Sequence, residues 1–334
     1  MNVDNRKVSS TLAISWTNKP GRSVEIAQML ECKLLLFSGV NNLNFLRKLK
    51  GYIRNSILTS LYIMKNRSEI DLYFLAIPPW PLFWITLIFS RGKAHIVLDA
   101  HPGAFGDLGD ELSGKLFRVT KKILCRVDFC IVANKKNQHE LSKYGVPAMI
   151  FGEVFPKVLI DTEIKRENFY LLPWTFSQDD PVQKMIGHIQ RCDSCPPYLI
   201  TGEVPLIHRE TMNELVSSGK VIEIGYVAQD TLRHYMSKSL CTIALTTDPN
   251  SRMRVAIEAV WFGSRVVTSD SETMREALPM VDFVDSELKN LHDALQTTKK
   301  KTPQQLMIDR QLLLDIQSKQ VDELVQNLSK FLRN

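Results

Sequence analysis

The residues of this sequence with the clearest chemical potential lie within one short stretch, residues 248–258. The stretch carries two carboxylates, one amide and two guanidinium groups, at Asp248, Asn250, Arg252, Arg254 and Glu258. Where a helix begins inside such a stretch, free backbone amides and the positive end of the helix dipole favour a bound phosphate. A carboxylate one to two turns into that helix can accept hydrogen bonds from a ribose diol. Glu258 is therefore a candidate ribose ligand, with a solvated helix residue as the alternative.

The apolar segments on either side indicate how this stretch is positioned. Leu240 to Thr247 precedes it and Arg265 to Thr268 follows it, which is the pattern of a strand, a loop, a helix and a second strand. In such a unit the helix begins at the carboxyl edge of a parallel sheet, where open α/β sheets bind their ligands. The sequence therefore predicts that the stretch lies at a ligand-binding edge.

A second candidate group, Asp99 to Phe105, follows another predicted strand, Ala94 to Leu98. His101 can donate a hydrogen bond to a phosphate or a sugar hydroxyl, and Gly103 permits close approach of a ligand to the backbone. A structural histidine is the alternative. The position at the carboxyl end of a strand, between Asp, Pro and Gly, favours the functional interpretation.

Strand and helix patterns alternate along the whole chain, which is typical of an α/β fold with parallel sheets. A length of 334 residues fits two domains of about 150 residues each. The pattern breaks into Pro and charged residues from Phe155 to Glu167, which we interpret as a linker. The predicted divisions are a first domain at 1–158, a second domain at 166–302 and a final helix at 303–334.

Local signals predict where several helices begin. Ser23 is predicted to cap a helix at 23–30, and Asp179 or Asp180 is predicted to cap a helix that begins at Pro181. A single helix is predicted from Glu111 to Arg126.

Several motifs in consistent order resemble those of one enzyme family. Glu258-Ala259, with Gly263 and Thr268 to Asp270, is similar to the nucleotide-sugar segment of GT-B glycosyltransferases, in particular their glycosyltransferase 4-like group. The resemblance covers nearly the whole chain through further segments at Trp16, Gly21 to Ser23, Asp99 to Phe105, Phe169 to Pro173, Asp179 to Pro181, Leu199 to Gly202 and Ile224 to Tyr226. It implies two Rossmann-like domains facing across a cleft, with the last helix packing back toward the N-terminal domain.

The resemblance also implies an activity and the residues that carry it. A sugar would move from a nucleotide diphosphate sugar to an acceptor hydroxyl, in the synthesis of a surface polysaccharide or glycoconjugate. The implied catalytic residues are His101, Asp248 and Asn250. The implied donor-binding residues are Thr201, Gly202, Gly225, Tyr226, Arg252, Arg254 and Glu258, and the implied acceptor-binding residues are Gly21, Arg22, Gly103 and Phe105.

The sequence departs from the family pattern close to the candidate donor site. Asn250 stands where the family has a second Glu, and Ser251 to Val255 replaces a glycine-rich segment. Two interpretations stay open: a divergent transferase that uses Arg252 or Arg254 to hold the diphosphate, or a catalytically impaired protein that serves as a partner or regulatory subunit of a glycosyltransferase. No Asp-x-Asp motif is present, and positive charge with amide dipoles suffices for a diphosphate leaving group, so neither a metal nor another cofactor is expected.

The charge of the chain is concentrated in its first half, which suggests an anionic partner. Residues 1–160 carry 22 Lys and Arg against 12 Asp and Glu, whereas residues 161–334 carry 20 against 24. The predicted helix at 42–66 and its flank contain basic residues and no acidic one, interleaved with apolar residues: Arg47, Lys48, Lys50, Arg54, Lys65 and Arg67. Such a helix is typical of one lying on an anionic membrane, and an ordinary domain helix with a basic outer face is the alternative.

The most apolar region, Leu72 to Ser90, is interrupted by Pro78, Pro79 and Pro81, which favours a buried strand and an apolar helix over a membrane span. The aromatic residues at 80–89 are expected either in the core or at a membrane interface.

Composition and motifs argue against several other classes of protein. The apolar fraction of 44% and charged fraction of 23% are those of a globular protein. Six cysteines do not make a disulfide framework, and the spacing of Cys192 and Cys195 is interpreted as incidental. The N-terminus lacks the apolar core of a secretory signal, so a cytoplasmic setting is expected, with peripheral attachment to the cytoplasmic membrane as an option. No G-x-G-x-x-G follows a predicted strand, and no nucleic-acid-binding motif is present.

Overall fold

The computed structural model divides the chain into two compact units. One comprises Met1–Pro156 with Lys319–Asn334, and the other comprises Lys157–Ser318. The structure describes residues 10–17, 21–37, 45–92, 94–106, 111–153 and 165–331. The predicted linker at 155–167 falls largely outside these ranges.

The described part of the first unit contains a six-stranded sheet in the order β2-β1-β3-β4-β5-β6, with every neighbouring pair parallel. Its strands are β1 (Thr11–Ser15), β2 (Lys33–Leu36), β3 (Leu72–Ile77), β4 (His95–Ala100), β5 (Phe129–Val132) and β6 (Ala148–Ile150). Its helices are α1 (Gly21–Met29), α2 (Phe45–Asn66), α3 (Pro81–Phe89), α4 (Glu111–Thr120) and α5 (Lys135–Ser142), with 3-10 helices at Pro102–Phe105 and Lys121–Arg126.

The second unit also contains a parallel six-stranded sheet, in the order β12-β11-β10-β7-β8-β9 across its described residues. Its strands are β7 (Tyr170–Leu172), β8 (Tyr198–Thr201), β9 (Val221–Gly225), β10 (Cys241–Ala244), β11 (Val266–Ser269) and β12 (Asp282–Val284). Its helices are α6 (Val182–Arg191), α7 (Leu206–Ser217), α8 (Gln229–Lys238), α9 (Arg254–Trp261), α10 (Glu272–Ala277) and α11 (Leu291–Lys299). The last helix, α12 (Pro303–Ser329), starts in this unit and ends in the first.

Both faces of the first sheet are covered, which explains why its central strands are almost wholly apolar. Tyr73 and Leu75 of β3 belong to one apolar cluster, whereas Leu72 and Phe74 belong to another on the opposite face. The second cluster includes Leu324 and Leu328 from the end of α12. In addition, the amide of Gly152 donates to Oε1 of Gln320 at 3.0 Å. The predicted α/β class with two parallel sheets is confirmed.

The order of the strands locates a switch point in each sheet, where the chain reverses its direction of winding. In the first unit it lies between β1 and β3, and in the second between β7 and β10. Loops that leave adjacent strands in opposite directions at such a point open a crevice at the carboxyl edge, which is where open α/β sheets bind ligands. In the second unit the loops that follow β7 and β10 form the edge of this crevice.

The structure corrects several predicted helix boundaries. Helix α1 begins at Gly21, so Ser23 lies inside it, and its hydroxyl donates to Oγ of Ser15 at 3.4 Å. Helix α6 begins at Val182 after Pro181, with no side-chain cap. Asp180 instead accepts a hydrogen bond from the amide of Ser177 at 2.9 Å, which shapes the preceding loop.

The single helix predicted from Glu111 to Arg126 changes to 3-10 geometry after Thr120. The Thr120 hydroxyl donates to the carbonyl of Leu116 and accepts a hydrogen bond from Nε1 of Trp84, both at 2.8 Å. Such bonding of a threonine back to the preceding turn competes with regular helix geometry. Strand β6 and helix α7 were not predicted, because β6 has only three residues and α7 begins with the exposed apolar pair Leu206 and Ile207.

Two other sequence interpretations also change. Trp80 and Phe83 are fully buried, so neither belongs to a membrane interface. Cys192 and Cys195, interpreted as incidental, form a disulfide, because the turn after α6 brings their Cα atoms to 5.7 Å. None of the described helices combines the length and apolar content needed to cross a membrane.

Candidate functional site

The switch point of the second unit is built by hydrogen bonds between the loop after β7 and the loop after β10. Oδ2 of Asp179 accepts from the hydroxyl of Thr246 at 2.9 Å, and the Asp179 carbonyl accepts from the amide of Thr247 at 2.7 Å. Thr246 is also held from the other side, because its amide donates to Oγ of Ser269 at 2.8 Å. These contacts fix the segment that leads from β10 into α9.

Asp248 and Asn250, the predicted catalytic pair of the second unit, lie together in this segment. Oδ1 of Asp248 accepts from the Asn250 amide at 2.9 Å and from its side-chain nitrogen at 3.3 Å. The Asp248 carbonyl accepts from the amide of Ser251 at 3.1 Å. The carboxylate therefore shapes the loop that leads to α9, which is a structural task that the sequence did not indicate.

Helix α9 begins with backbone donors that the helix itself does not use. The N-cap residue Met253 provides no side-chain cap, and the first intrahelical bonds run from Ala256 and Ile257 to the Met253 carbonyl. Among the described residues the amide of Val255 has no acceptor. Arg252 and Arg254, both half-buried, flank Met253. Amides and guanidinium groups at a helix N-terminus suit a phosphate or diphosphate.

Glu258 lies one turn further along α9 and is buried, with 5% of its surface exposed. Two donors from α8 converge on Oε1: Nε2 of Gln229 at 3.0 Å and Nε of Arg233 at 2.9 Å. Within the described residues no group donates to Oε2, so this oxygen can accept from a ligand. The carboxylate is thus held in one orientation by one of its oxygens, as a ligand for a ribose diol requires.

Gln229 and Arg233 were not predicted from the sequence, although both contact the Glu258 carboxylate. Their spacing of four residues places them on one face of α8, and this signal was available in the sequence. Arg233 is further held by Asp230 at 3.2 Å and lies 4.9 Å from the ring centroid of Phe262. Tyr226, three residues before α8, is 70% exposed at the carboxyl end of β9 and is available to a ligand beside this helix.

Thr201 and Gly202 connect neighbouring strand ends in the structure. The Thr201 hydroxyl donates to the carbonyl of Trp174 at 3.2 Å, and the Gly202 amide donates to the carbonyl of Gly225 at 3.1 Å. Both residues are buried. They therefore set the distance between the loops that follow β7, β8 and β9, and their contact with the donor stays a prediction.

Replacing Gly202 with alanine is expected to destabilise the second unit by at least about 2 kcal/mol. Gly202 has a φ of +82°, and an added Cβ would lie 2.4 Å from the Trp174 carbonyl oxygen, so the backbone has to shift. Gly225→Ala is the matched control, because its φ is +65° but no atom lies within 4 Å of the added Cβ. Urea unfolding measures the free energy of unfolding of both variants. Equal losses of this free energy would show that the contact with Trp174 does not cause the destabilisation.

One candidate residue of the first unit, Arg22, forms an ion pair with the buried Asp99. Nη2 of Arg22, the second residue of α1 after Gly21, lies 3.0 Å from Oδ1 of Asp99 in β4. The Arg22 guanidinium also lies 5.5 Å from the ring centroid of Phe151. Burial raises the pKa of Asp99, and the charge of Arg22 acts in the opposite direction. Arg22, which was predicted to contact the acceptor, therefore also neutralises the Asp99 carboxylate near the carboxyl end of β4.

His101 follows β4, and one nitrogen of its ring is already in use. Its Nδ1 accepts a hydrogen bond from the amide of Gly103 at 3.3 Å, so the neutral ring carries its proton on Nε2. His101 is exposed, yet desolvation by the surrounding protein lowers its pKa, and the charge of Arg22 lowers that pKa further, while Glu153 opposes both. The ring is thus kept neutral with an Nε2–H donor, which favours hydrogen bonding to a ligand oxygen over proton abstraction.

Gly103 and Phe105 lie in the 3-10 helix that follows His101. A Cβ at Gly103 would meet Nδ1 of His101 at 3.5 Å, an ordinary contact, so the position does not require glycine for space. The Phe105 ring packs edge-on against Phe117, with centroids 5.0 Å apart. The contact of both residues with an acceptor stays a prediction.

Comparison with known proteins places the fold. No protein-family model matches the sequence, and no curated protein matches it. Among solved structures, HepE from Anabaena in complex with UDP and glucose is 14% identical, with a TM-score of 0.62 over 97% of this chain and 99% of that one. Sucrose-phosphate synthase from Thermosynechococcus elongatus is 13% identical, with a TM-score of 0.67 over 96% and 99%. A glycosyltransferase from Rickettsia africae is 10% identical, with a TM-score of 0.62 over 98% and 99%. The chain therefore has the fold of GT-B glycosyltransferases.

Proposed function

We propose that the protein transfers a sugar from a nucleotide diphosphate sugar to an acceptor hydroxyl. The observation that carries this proposal is the buried Glu258 carboxylate, held through Oε1 by Gln229 and Arg233 with Oε2 left for a ribose. It lies one turn beyond the donor-rich start of α9, at the switch point of the sheet. The solved structures of HepE with UDP and with UDP-glucose support UDP as the first nucleotide to test.

The chemistry requires negative charge to be stabilised on the leaving diphosphate. The acceptor oxygen forms a bond to the anomeric carbon of the sugar, while the bond from that carbon to the diphosphate oxygen breaks and the acceptor proton is released. In this proposal Arg252, Arg254 and the α9 amides hold the diphosphate as its charge develops. The proposal includes no cofactor, since these groups supply the positive charge.

His101 has a supporting role in this proposal. Its neutral Nε2–H donates to an oxygen of the sugar or the phosphate and so orients the group that is transferred. Asp248 and Asn250 shape the loop that presents α9, so the catalytic role expected of them becomes one of positioning. The acceptor proton passes to an oxygen of the departing diphosphate, which gains negative charge as its bond to the anomeric carbon breaks.

The His101→Ala variant is expected to lower turnover about tenfold, which corresponds to one hydrogen bond of about 1.4 kcal/mol made in the transition state. UDP affinity should stay unchanged, because Glu258 belongs to the other unit. Protonation of the ring would turn Nδ1 from an acceptor into a donor that faces the Gly103 amide and so disturb the orientation of the ring. Because the pKa of His101 is lowered, turnover of the native protein should persist to lower pH than an ordinary histidine allows. Steady-state kinetics with saturating donor measures the effect. A loss of UDP affinity with unchanged turnover would contradict the assigned role.

A screen of nucleotide sugars tests the overall proposal. UDP-, GDP- and CMP-sugars are compared by thermal shift and by slow hydrolysis of the donor, which needs no acceptor. One donor that stabilises the protein and is hydrolysed supports a transferase. Binding of a donor without its hydrolysis, or without transfer to any glycan or lipid acceptor, supports a second candidate function, that of a catalytically impaired partner subunit. The observation that favours this candidate is Asn250, which stands where the family has its second Glu.

We further propose that the acceptor is presented at an anionic membrane, to which the protein attaches peripherally from the cytoplasmic side. Helix α2 turns apolar side chains to solvent, whereas Asn55 and Thr59 on its other face are buried. The exposed residues include Leu49, Ile53, Ile57, Leu58, Leu61 and Met64, and Ile53, Ile57 and Leu61 are each more than half exposed.

Basic side chains accompany this apolar face. Arg47, Lys50, Arg54 and Lys65 are exposed on the same helix, and Ile88 is exposed on α3, which packs beside it. The side chain of Lys48 lies outside the described set. An outward apolar stripe flanked by cations and lacking any acidic residue matches an anionic bilayer surface better than water or an acidic protein.

A further inference from the structure

A pocket of about 510 Å³ lies in the first unit, away from the Arg22–Asp99 pair. Its walls come from the end of the 3-10 helix at Pro102–Phe105, from α4 and from the first turns of α5. The charged and polar side chains that line it are Lys115, Arg118, Lys136, Asn137 and Glu140. Because α5 follows β5 directly, the pocket opens at the carboxyl edge of the sheet, the edge that also carries His101.

The described side chains that line the pocket carry a net positive charge. Among them three cations, Lys115, Arg118 and Lys136, stand against one carboxylate, Glu140. That carboxylate is already engaged outside the pocket lining: Oε2 accepts from Nζ of Lys143 at 2.6 Å, and Oε1 accepts from the Tyr144 hydroxyl at 3.3 Å. The hydrogen bond from Lys143 also lowers the pKa of Glu140. The electrostatic potential in the pocket therefore favours an anion.

Asn137 provides an independent sign of a ligand. It is buried, with 1% of its surface exposed, and it lines the pocket. Its backbone amide is satisfied by Oδ1 of Asn134 at 2.9 Å, but its side-chain nitrogen has no acceptor among the described residues. A buried donor without an acceptor is costly, so such atoms are rare unless a ligand, ion or water completes them.

The position of Asn137 indicates which ligand completes it. It is the third residue of α5, at the end of the helix where the dipole is positive. The pocket thus combines three cations, a helix N-terminus and one unpartnered amide donor. Together these favour a ligand group with negative charge and several acceptor oxygens. A phosphate group has this chemistry.

We infer that this pocket binds a phosphate group carried by the acceptor. The binding of the phosphate follows from the pocket itself, and its assignment to the acceptor rests on the proposed function. The acceptor is then a phosphorylated molecule, either a soluble phosphate monoester or a lipid with a phosphate headgroup.

The test measures binding of inorganic phosphate and of glycerol 3-phosphate to the full chain, with the Asn137 side-chain amide followed by NMR. The double variant Lys115→Gln/Lys136→Gln is expected to weaken binding at least about tenfold, by loss of two charge-assisted contacts. Asn137→Asp keeps the shape of the side chain and places a negative charge in the pocket, so it should abolish binding. The matched control is Lys122→Gln/Lys135→Gln, which removes the same charge from neighbouring residues that do not line the pocket, and it should cost less than about threefold.

Each outcome decides the inference. No shift of the Asn137 amide at millimolar phosphate, or equal weakening in the pocket and control variants, overturns it. Vesicles of phosphatidylcholine with and without phosphatidic acid distinguish the two sources of phosphate: binding that depends on phosphatidic acid and on Lys115 and Lys136 identifies a lipid headgroup, whereas binding of glycerol 3-phosphate alone identifies a soluble ligand.

UDP affinity is measured separately on the same variants, and it should be unchanged because Glu258 belongs to the second unit. Absence of phosphate binding in the native protein, together with normal UDP binding, refutes only the pocket. Absence of UDP binding in the native protein refutes only the proposed donor site.

Discussion

Replacing Glu258 with glutamine is expected to weaken UDP binding roughly tenfold to a hundredfold. Glutamine keeps the size of the side chain but removes the charge that strengthens hydrogen bonds from the ribose hydroxyls, each worth about 1.5–3 kcal/mol. It also replaces one carboxylate oxygen with an NH₂ group. Because Oε1 is held by donors from Gln229 and Arg233, the amide oxygen will take that place and the NH₂ group will face the ligand. Isothermal titration with UDP measures the loss.

The choice of variant matters because Glu258 also has a structural role. Glu258→Ala would leave the partly buried Arg233 with only the exposed Asp230 as a partner, and breaking the buried half of such a pair costs several kcal/mol of stability. Asp230→Asn is a better control, since Asp230 pairs with the same arginine at 3.2 Å and is almost fully exposed. It should change UDP affinity by less than about threefold. Unchanged affinity in a folded Glu258→Gln protein would refute the donor site.

How far the sequence predicts the site depends on whether each contact is local. Glu258 was identifiable because a strand, a loop and a helix in one continuous segment determine its place. Gln229 and Arg233 were not, because their contact with Glu258 depends on how α8 packs against α9. The helix pattern at 229–237 shows which residues share a face, but it does not show what that face touches.

The spacing of apolar and basic residues in the sequence also left open which face of α2 points toward the core. The basic residues of α2 were expected opposite an apolar stripe, and an inward apolar face is the usual arrangement. In the structure Asn55 and Thr59 face the core, and Nε1 of Trp16 donates to the Thr59 hydroxyl at 3.1 Å. This buried hydrogen bond fixes the rotation of α2 and turns Ile53, Ile57 and Leu61 outward. Its donor is 43 residues away in sequence, so no local pattern predicts it.

The outward face leads to the second large expected effect, on membrane attachment. Changing Ile53, Ile57 and Leu61 to glutamine is expected to reduce binding to anionic vesicles about a hundredfold. Full burial of each side chain is worth about 2 kcal/mol, and slightly more than half of each is exposed, so the three lose roughly 3 kcal/mol together. Vesicle sedimentation at 0.1 M salt, with phosphatidylglycerol against pure phosphatidylcholine, measures the effect.

The cations of α2 provide a second, separable contribution. Arg47, Lys50, Arg54 and Lys65 supply about 1 kcal/mol each near an anionic surface, and this part should fade as salt shortens the Debye length from ~10 Å at 0.1 M to ~3 Å at 1 M. Changing these four residues to glutamine should therefore remove the salt dependence and the preference for anionic lipid. Weak binding through the apolar stripe should remain.

A matched control separates attachment through α2 from nonspecific adhesion of exposed apolar surface. Helix α12 exposes Met307, Ile308 and Leu312 to a similar extent, but it also carries exposed carboxylates at Asp315, Asp322 and Glu323. Changing these three residues to glutamine should leave vesicle binding unchanged, because the carboxylates repel an anionic surface. The membrane proposal would be refuted if the α2 and α12 variants lost vesicle binding equally, or if the native protein did not bind anionic vesicles at low salt. A protein partner would then be the expected occupant of the apolar face of α2.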